Sequence, residues 1–201
     1  FDLTGRAALI TGATRGIGFG LAAGLAQAGA KIILNGRNPE KLAEATDRLR
    51  LQDVSAQTLC FDVRDQPAVQ KAINNYESAD GPIDILINNA GIQHRQSLED
   101  FASDKFQDVM NTNATALFYL GQAVTKHMKQ RGQGKIINIA SIMTKMARHH
   151  VGAYVTAKAA VGGLTRAMTA EWAGYGINCN AIGPGYISTE LTQPLFEDKA
   201  F

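Results

Sequence analysis

Six short apolar runs alternate with longer helical stretches along the whole chain, and this rhythm constrains the fold more than any other feature. The runs at 7–11, 31–35, 56–61, 83–88, 135–140 and 177–182 are rich in Ile, Leu and Ala. Several are apolar almost throughout, the pattern of strands covered on both faces. Between them, 17–28, 38–51, 66–78, 103–130 and 154–174 read as helices. Repeated strand–helix–strand units call for parallel pairing with crossover helices. The expected fold is therefore α/β, a doubly wound parallel sheet of the Rossmann type forming a single domain over 1–201. At Asn38-Pro39-Glu40, proline takes a first helical position, where its missing N–H costs nothing. The helix at 154–174 carries Gly162 and Gly163, which cost stability in a helix, so close helix–helix contact is the expected reason for them.

With 201 residues and 45% apolar side chains, the chain has material for one substantial core. Its 20 basic and 18 acidic residues are well mixed and leave a net charge of +2, which gives no electrostatic footprint for nucleic acid or a membrane surface. No apolar run is as long as a membrane span. The first residues show no basic stretch followed by an apolar one. A cytoplasmic location is expected. Cys60 and Cys179 each lie in an apolar stretch and read as buried free thiols of a reducing compartment. His127, His149 and His150 have no Cys or carboxylate companions at ligand spacing, so no metal is expected.

The first strand runs straight into Thr-Gly-Ala-Thr-Arg-Gly-Ile-Gly at 11–18 and then into a helix. Gly12, Gly16 and Gly18 permit a tight turn, close backbone approach to a pyrophosphate, and a helix lying near the sheet. The N–H groups of Thr14, Arg15 and Ile17 belong to the same turn, and the positive end of the helix dipole faces an anion there. After the second strand, NAD-specific sites place an Asp or Glu for the ribose 2′-hydroxyl, but this chain has Asn35-Gly36-Arg37. Arg15 and Arg37 suit a 2′-phosphate instead, so the expected cofactor is NADP(H).

Tyr154 and Lys158 stand four residues apart in a helical stretch and so share a face. Ser141 ends a strand at the sheet edge where open α/β folds bind ligands. Carbonyl reduction needs a proton donor beside the oxygen as hydride arrives. A phenol with an ordinary pKa of about 10 fits that task once an adjacent ammonium and a positive nicotinamide ring lower it. A shift of about three units asks about 4 kcal/mol of those charges.

These segments, with Asp62-Val63, Asn-Asn-Ala-Gly at 88–91, Asn113 and Pro184-Gly185, resemble the short-chain dehydrogenase/reductase family in order and spacing over essentially the whole chain. The resemblance implies that Asp62 and Val63 flank the adenine, that Asn89, Ala90 and Gly91 line the cofactor, and that Pro184, Gly185 and Ile187 border the nicotinamide. It implies that Tyr154 is the acid/base, that Ser141 partners the substrate oxygen, and that Lys158 also holds the nicotinamide ribose. Asn113 is implied as a link in a proton relay through water and Lys158. It further implies a homotetramer built through the two long central helices. Members of the family continue into a further helix and a last strand. The chain is accordingly expected either to be shortened at its C-terminal end or to run on beyond Phe201.

Within the family, the stretches at 88–95, 134–139, 181–190 and 197–201 are similar to the gluconate 5-dehydrogenases, which implies a sugar-acid substrate. A carboxylate needs a cation in the pocket, and Arg95 and Arg148 are the candidates, with His94 a further possible contact. His94-Arg95 stands where that group often has Arg-Arg, and Met146-Ala147 replaces the Leu-Gly expected before Arg148. A 3-oxoacyl-carrier-protein reductase or other NADPH-dependent ketone reductase would show a basic surface patch and no such arginine. A protein that bound NADP(H) without chemistry would typically lack the tyrosine or the lysine, and both are present.

Overall fold

The computed structural model of the chain describes residues 2–189 and 193. Six strands, β1 (Ala7–Ile10), β2 (Lys31–Gly36), β3 (Ala56–Cys60), β4 (Ile85–Asn88), β5 (Gly134–Ile139) and β6 (Ile177–Ile182), form one sheet in the order β3-β2-β1-β4-β5-β6. Every neighbouring pair is parallel. The chain moves outward from β1 to β2 and β3, then returns to place β4 on the other side of β1. The connections leaving the C-terminal ends of these two strands therefore diverge, and a crevice opens between them.

Successive strand residues point to opposite faces, so each helical layer packs on its own set. Leu9, Ile33, Leu86 and Ile136 pack with Val69, Ile73, Leu120, Val124 and Met168 on one face. Ile10, Ile32, Leu34 and Ile87 pack with Ala22, Leu42 and Leu49 on the other. The helices supplying these residues are α1 (Gly16–Gln27), α2 (Pro39–Arg50), α3 (Gln66–Ala79), α5 (Ala116–Arg131) and α6 (Gly152–Trp172), while α4 (Ser103–Met110) packs its Val109 with Ala114, Ala153 and Ala157. Asn38 and Asp65 each cap a helix by accepting a backbone N–H, from Lys41 and Ala68.

Three expectations need correction. First, Cys60 lies on β3, an edge strand whose Gln57, Thr58 and Cys60 are exposed. Cys60 is therefore not a buried thiol. Cys179 is buried, which pushes its thiol up to about 11, and both cysteines are free. Second, the helix expected over 103–130 is broken by a π turn at Asn111–Thr115. The Asn-Thr-Asn run there is a poor helix former. In return, the Asn113 side chain bonds both backbone groups of Ile92, accepting from its N–H and donating to its carbonyl at 2.8 Å each.

Third, within the chain Gly162 and Gly163 do not mark the close helix–helix contact. A Cβ at Gly162 would lie 2.9 Å from Thr144 in the loop after β5, and one at Gly163 would meet only the far end of Arg166 at 3.9 Å. The tight place is Gly121 on α5, where a Cβ would stand 2.6 Å from the Met168 methyl and 3.3 Å from the Trp172 ring. No helix among the described residues is long and apolar enough to cross a membrane. Gly121→Val is expected to destabilise the protein by about 1–3 kcal/mol through overpacking. Gly24→Ala, where a new Cβ meets nothing within 4 Å, is expected to stabilise helix α1 by about 0.5–1 kcal/mol. Denaturant unfolding of both variants checks the contrast.

Candidate active site

The crevice is a cleft of about 330 Å³ along the C-terminal ends of the strands. At one end lies the glycine turn. Gly12 and Gly16 have φ of +60° and +57°, the left-handed region, and a Cβ on Gly12 would sit 2.8 Å from the Ala90 Cα. The Asn89 side chain donates to the carbonyls of Thr11 and Gly12 at 2.9 and 3.1 Å. The Thr11 hydroxyl accepts the N–H groups of Asn89 and Ala90. The turn is thus fastened to the segment after β4. Arg15, the residue before α1, makes no side-chain cap on that helix. A glycine cradle ending in an uncapped helix start suits a pyrophosphate.

Gly12, Thr14, Arg15, Gly16 and Ile17 line the cleft, as do Arg37, Asp62, Val63, Asn89, Ala90 and Gly91. Gly18 does not line it. A Cβ at Gly18 would fall 2.5 Å from the Asn89 amide nitrogen and 2.6 Å from the Gly12 carbonyl oxygen, so this glycine lets α1 approach the turn. Asn35 is buried, and its amide donates to the carbonyls of Leu59 and Phe61, turning it toward β3. Arg64 also lines the cleft. Its guanidinium grips Asp62 through three hydrogen bonds of 2.7–3.2 Å and reaches Asp108 on α4 at 3.5 Å. This bond to Arg64 holds the Asp62 carboxyl below the usual carboxylate range against an opposing effect of burial, and the charge of Arg37 adds to the lowering.

At the other end stand Ser141, Tyr154, Lys158, Pro184, Gly185 and Ile187. Helix α6 begins at Gly152, so Tyr154 lies in its first turn and Lys158 one turn further along the same face. Lys158 is 4% exposed, and its Nζ donates to the Ile139 carbonyl at 2.6 Å and lies 5.6 Å from the centre of the Tyr154 ring. Burial pulls its pKa down to about 8. The sequence reading has the Tyr154 phenol lowered. In the protein itself burial raises it, a hydrogen bond with Ser141 pulls the other way, and the Tyr186 phenol adds to the rise. Removal from water outweighs the local polar partners.

Asn113 does not line the cleft. It is fully buried with its amide occupied by Ile92, while its neighbour Thr112 does line the cleft. Arg95 and Arg148 are not in the cleft either. They share an adjoining hollow of about 390 Å³ with Gln96, His149, His150 and Val151. Gln96 donates its N–H to the His150 carbonyl at 3.1 Å, which joins the two arginine-bearing loops. His94 is half-buried and packs edge-on against Phe101 at 5.5 Å. Glu190 and the 197–201 stretch lie outside the described residues.

Sequence reasoning missed Arg64, Thr112 and Thr189 among the lining residues. Arg64 had a signal, a cation directly following the Asp62-Val63 pair. The Ile139 carbonyl that receives Lys158 had none, because every residue carries one.

The short chain dehydrogenase pattern matches residues 6–200 of the chain. The gluconate 5-dehydrogenase of Gluconobacter oxydans (strain 621H) is 47% identical over 201 residues, which cover 100% of this chain and 78% of that protein. The 5-keto-D-gluconate 5-reductase of Escherichia coli (strain K12) is 42% identical over 201 residues, 100% of this chain and 79% of that one. A crystal structure of a gluconate 5-dehydrogenase from Burkholderia cenocepacia J2315, in complex with NADP and tartrate, superposes with a TM-score of 0.96 at 48% identity, covering 100% of this chain and 78% of that one. Pattern, relatives and fold agree over the length of the sequence, and the protein belongs to the short-chain dehydrogenase family.

Proposed function

We propose that the chain is an NADP(H)-dependent oxidoreductase that interconverts a secondary hydroxyl of a sugar acid and the corresponding ketone, with D-gluconate and 5-dehydro-D-gluconate as the pair. The observation that carries this reading is a buried ammonium, Lys158, beneath the Tyr154 phenol at one end of a cleft whose other end is a glycine-cradled helix start. The names of the relatives support the sugar acid, and the NADP in the related crystal structure supports the cofactor.

The bound dinucleotide supplies or accepts the hydride. The turn at Gly12, Thr14, Gly16 and Ile17 would hold its pyrophosphate, with Arg15 and Arg37 on the 2′-phosphate. Asp62 and Val63 would flank the adenine, with Arg64 fixing the Asp62 carboxylate. Asn89, Ala90 and Gly91 would form one wall, and Pro184, Gly185 and Ile187 would border the nicotinamide. In reduction, the Tyr154 hydroxyl gives its proton to the substrate oxygen while hydride adds to the carbon, and Ser141 hydrogen-bonds that same oxygen. In oxidation, the Tyr154 phenolate takes the hydroxyl proton as hydride leaves the carbon.

Lys158 stabilises the phenolate and holds the ribose. With a pKa of about 8, roughly nine-tenths of it is charged at pH 7. From 5.6 Å off the ring centre its charge favours the phenolate, against the burial that raises the Tyr154 pKa. The Asn113 side chain is engaged with Ile92, so its part in the proton relay falls to its main-chain carbonyl in the π turn.

Arg95 and Arg148 serve the substrate carboxylate from the adjoining hollow, a provision that a 3-oxoacyl-carrier-protein reductase does not need. The described residues act as one unit. We place the protein in the cytoplasm as a homotetramer. The free thiols Cys60 and Cys179 support a reducing compartment, and Phe118, exposed on α5, supports self-association through the long helices.

Tyr154→Phe is expected to reduce turnover about 10²–10⁴-fold while leaving the NADPH dissociation constant unchanged. Substantial residual turnover in this variant would refute the acid/base role. Arg37→Met is expected to weaken NADPH, but not NADH, by about tenfold or more, the scale of one charged hydrogen bond. Equal loss with both cofactors, in steady-state assays of KM, would remove Arg37 from the 2′-phosphate.

A further inference from the structure

A second phenol, that of Tyr186, holds the guanidinium of Arg148. Arg148 donates from Nη1 to the Tyr186 oxygen at 3.0 Å, and its guanidinium carbon lies 5.9 Å from the centre of the Tyr186 ring. Both contacts hold a long exposed side chain in one direction. The segment carrying Tyr186 is itself held in place. The Pro184 carbonyl accepts the Ile142 N–H at 3.1 Å, and a Cβ on Gly183 would stand 3.3 Å from the Ser141 backbone, so the segment lies against the loop that follows β5. Gly185 and Ile187 line the cleft on either side of Tyr186. Its phenol is also near enough to Tyr154 for its charge to act on the Tyr154 proton.

We infer that Tyr186 is a positioning residue for substrate: it holds Arg148 beside the catalytic phenol so that the carboxylate of the sugar acid is received at a fixed reach from the reacting carbon. This rests on the sugar-acid reading above. In a six-carbon 5-keto acid, four C–C bonds separate the carbonyl carbon from the carboxyl carbon, a span of about 5 Å when extended. A cation swinging freely would meet carboxylates at many distances. One tied to the same segment that walls the nicotinamide end meets them at one. The phenol is suited to the task because its oxygen accepts from the guanidinium and leaves the other guanidinium N–H groups for a carboxylate. Arg95, joined to the Arg148 loop through the Gln96–His150 hydrogen bond, adds a second cation to the same hollow.

The test is steady-state reduction by NADPH of 5-dehydro-D-gluconate and of L-sorbose, the same carbon skeleton with hydroxymethyl in place of the carboxylate. Wild type, Tyr186→Phe, Arg148→Ala and the double variant are compared. Tyr186→Phe keeps the ring and is expected to raise KM for the acid about tenfold, with kcat within twofold and kcat/KM for L-sorbose unchanged. Arg148→Ala is expected to raise KM for the acid by at least as much, and the double variant to be no worse than Arg148→Ala alone. An unchanged KM for the acid in Tyr186→Phe, an equal loss with L-sorbose, or single effects that multiply in the double variant would each overturn the assignment while leaving the sugar-acid reading standing. Wild-type protein that used L-sorbose as efficiently as the acid would remove that reading, and the role of Tyr186 with it.

Discussion

Holding an ammonium out of water is the constraint around which the catalytic end is organised. Lys158 is nearly inaccessible, and the hydrogen-bond partner its Nζ has in the structure is the carbonyl of Ile139, the last residue of β5. Burial of this kind costs stability and depresses the pKa. The return lies in what the charge does to its neighbour. A cation in a water-poor site acts far more strongly on a phenol one helical turn away than the same cation would in bulk solvent. The position of Tyr154 in the first turn of α6, the strand end that presents Ser141, and the loop that ties Thr144 to the Lys158 carbonyl at 3.2 Å all serve this one arrangement.

At the opposite end of the cleft the glycine turn is fastened by neutral hydrogen bonds. There the crossing of the chain from one side of β1 to the other opens the crevice. The polar groups of Thr11 and Asn89 then fasten the two diverging segments to each other. Their hydrogen bonds occupy the carbonyls of the glycine turn, and the uncapped first turn of α1 presents donors to the crevice. The two ends are held at a fixed separation by a sheet whose central strands are buried throughout. A rigid sheet of this kind would let a long dinucleotide bring its reactive ring to the Tyr154 phenol, as proposed above.

Much of this was legible in the sequence, because the signals were local. The parallel sheet with crossover helices follows from strand–helix alternation. The glycine turn, the 154/158 spacing and the helix start at Asn38 act over a few residues. What escaped was set by tertiary context. The π turn at Asn111–Thr115 depends on Ile92, some twenty residues earlier in the chain. The exposure of Cys60 depends on β3 being an edge, and the close approach of α5 to α6 on a glycine in the other helix from the one expected. Arg95 and Arg148 were read as pocket arginines from their place in the chain, yet they line a neighbouring hollow, and Tyr186, which holds Arg148, drew no notice as a lone aromatic after a glycine. The raised Tyr154 pKa shows the same limit, since a sequence lists charges but not how much water a fold removes.

The most direct measurement is a titration of the Lys158 ammonium itself, followed by NMR on protein carrying labelled lysine, with Lys158→Met identifying its signal. The account predicts a midpoint of about 8, well below the ordinary 10.5, as expected when burial disfavours the charged form. A midpoint at the ordinary lysine value would mean that the ammonium is solvated, and would contradict the claim that this fold brings a water-poor cation up against a phenol.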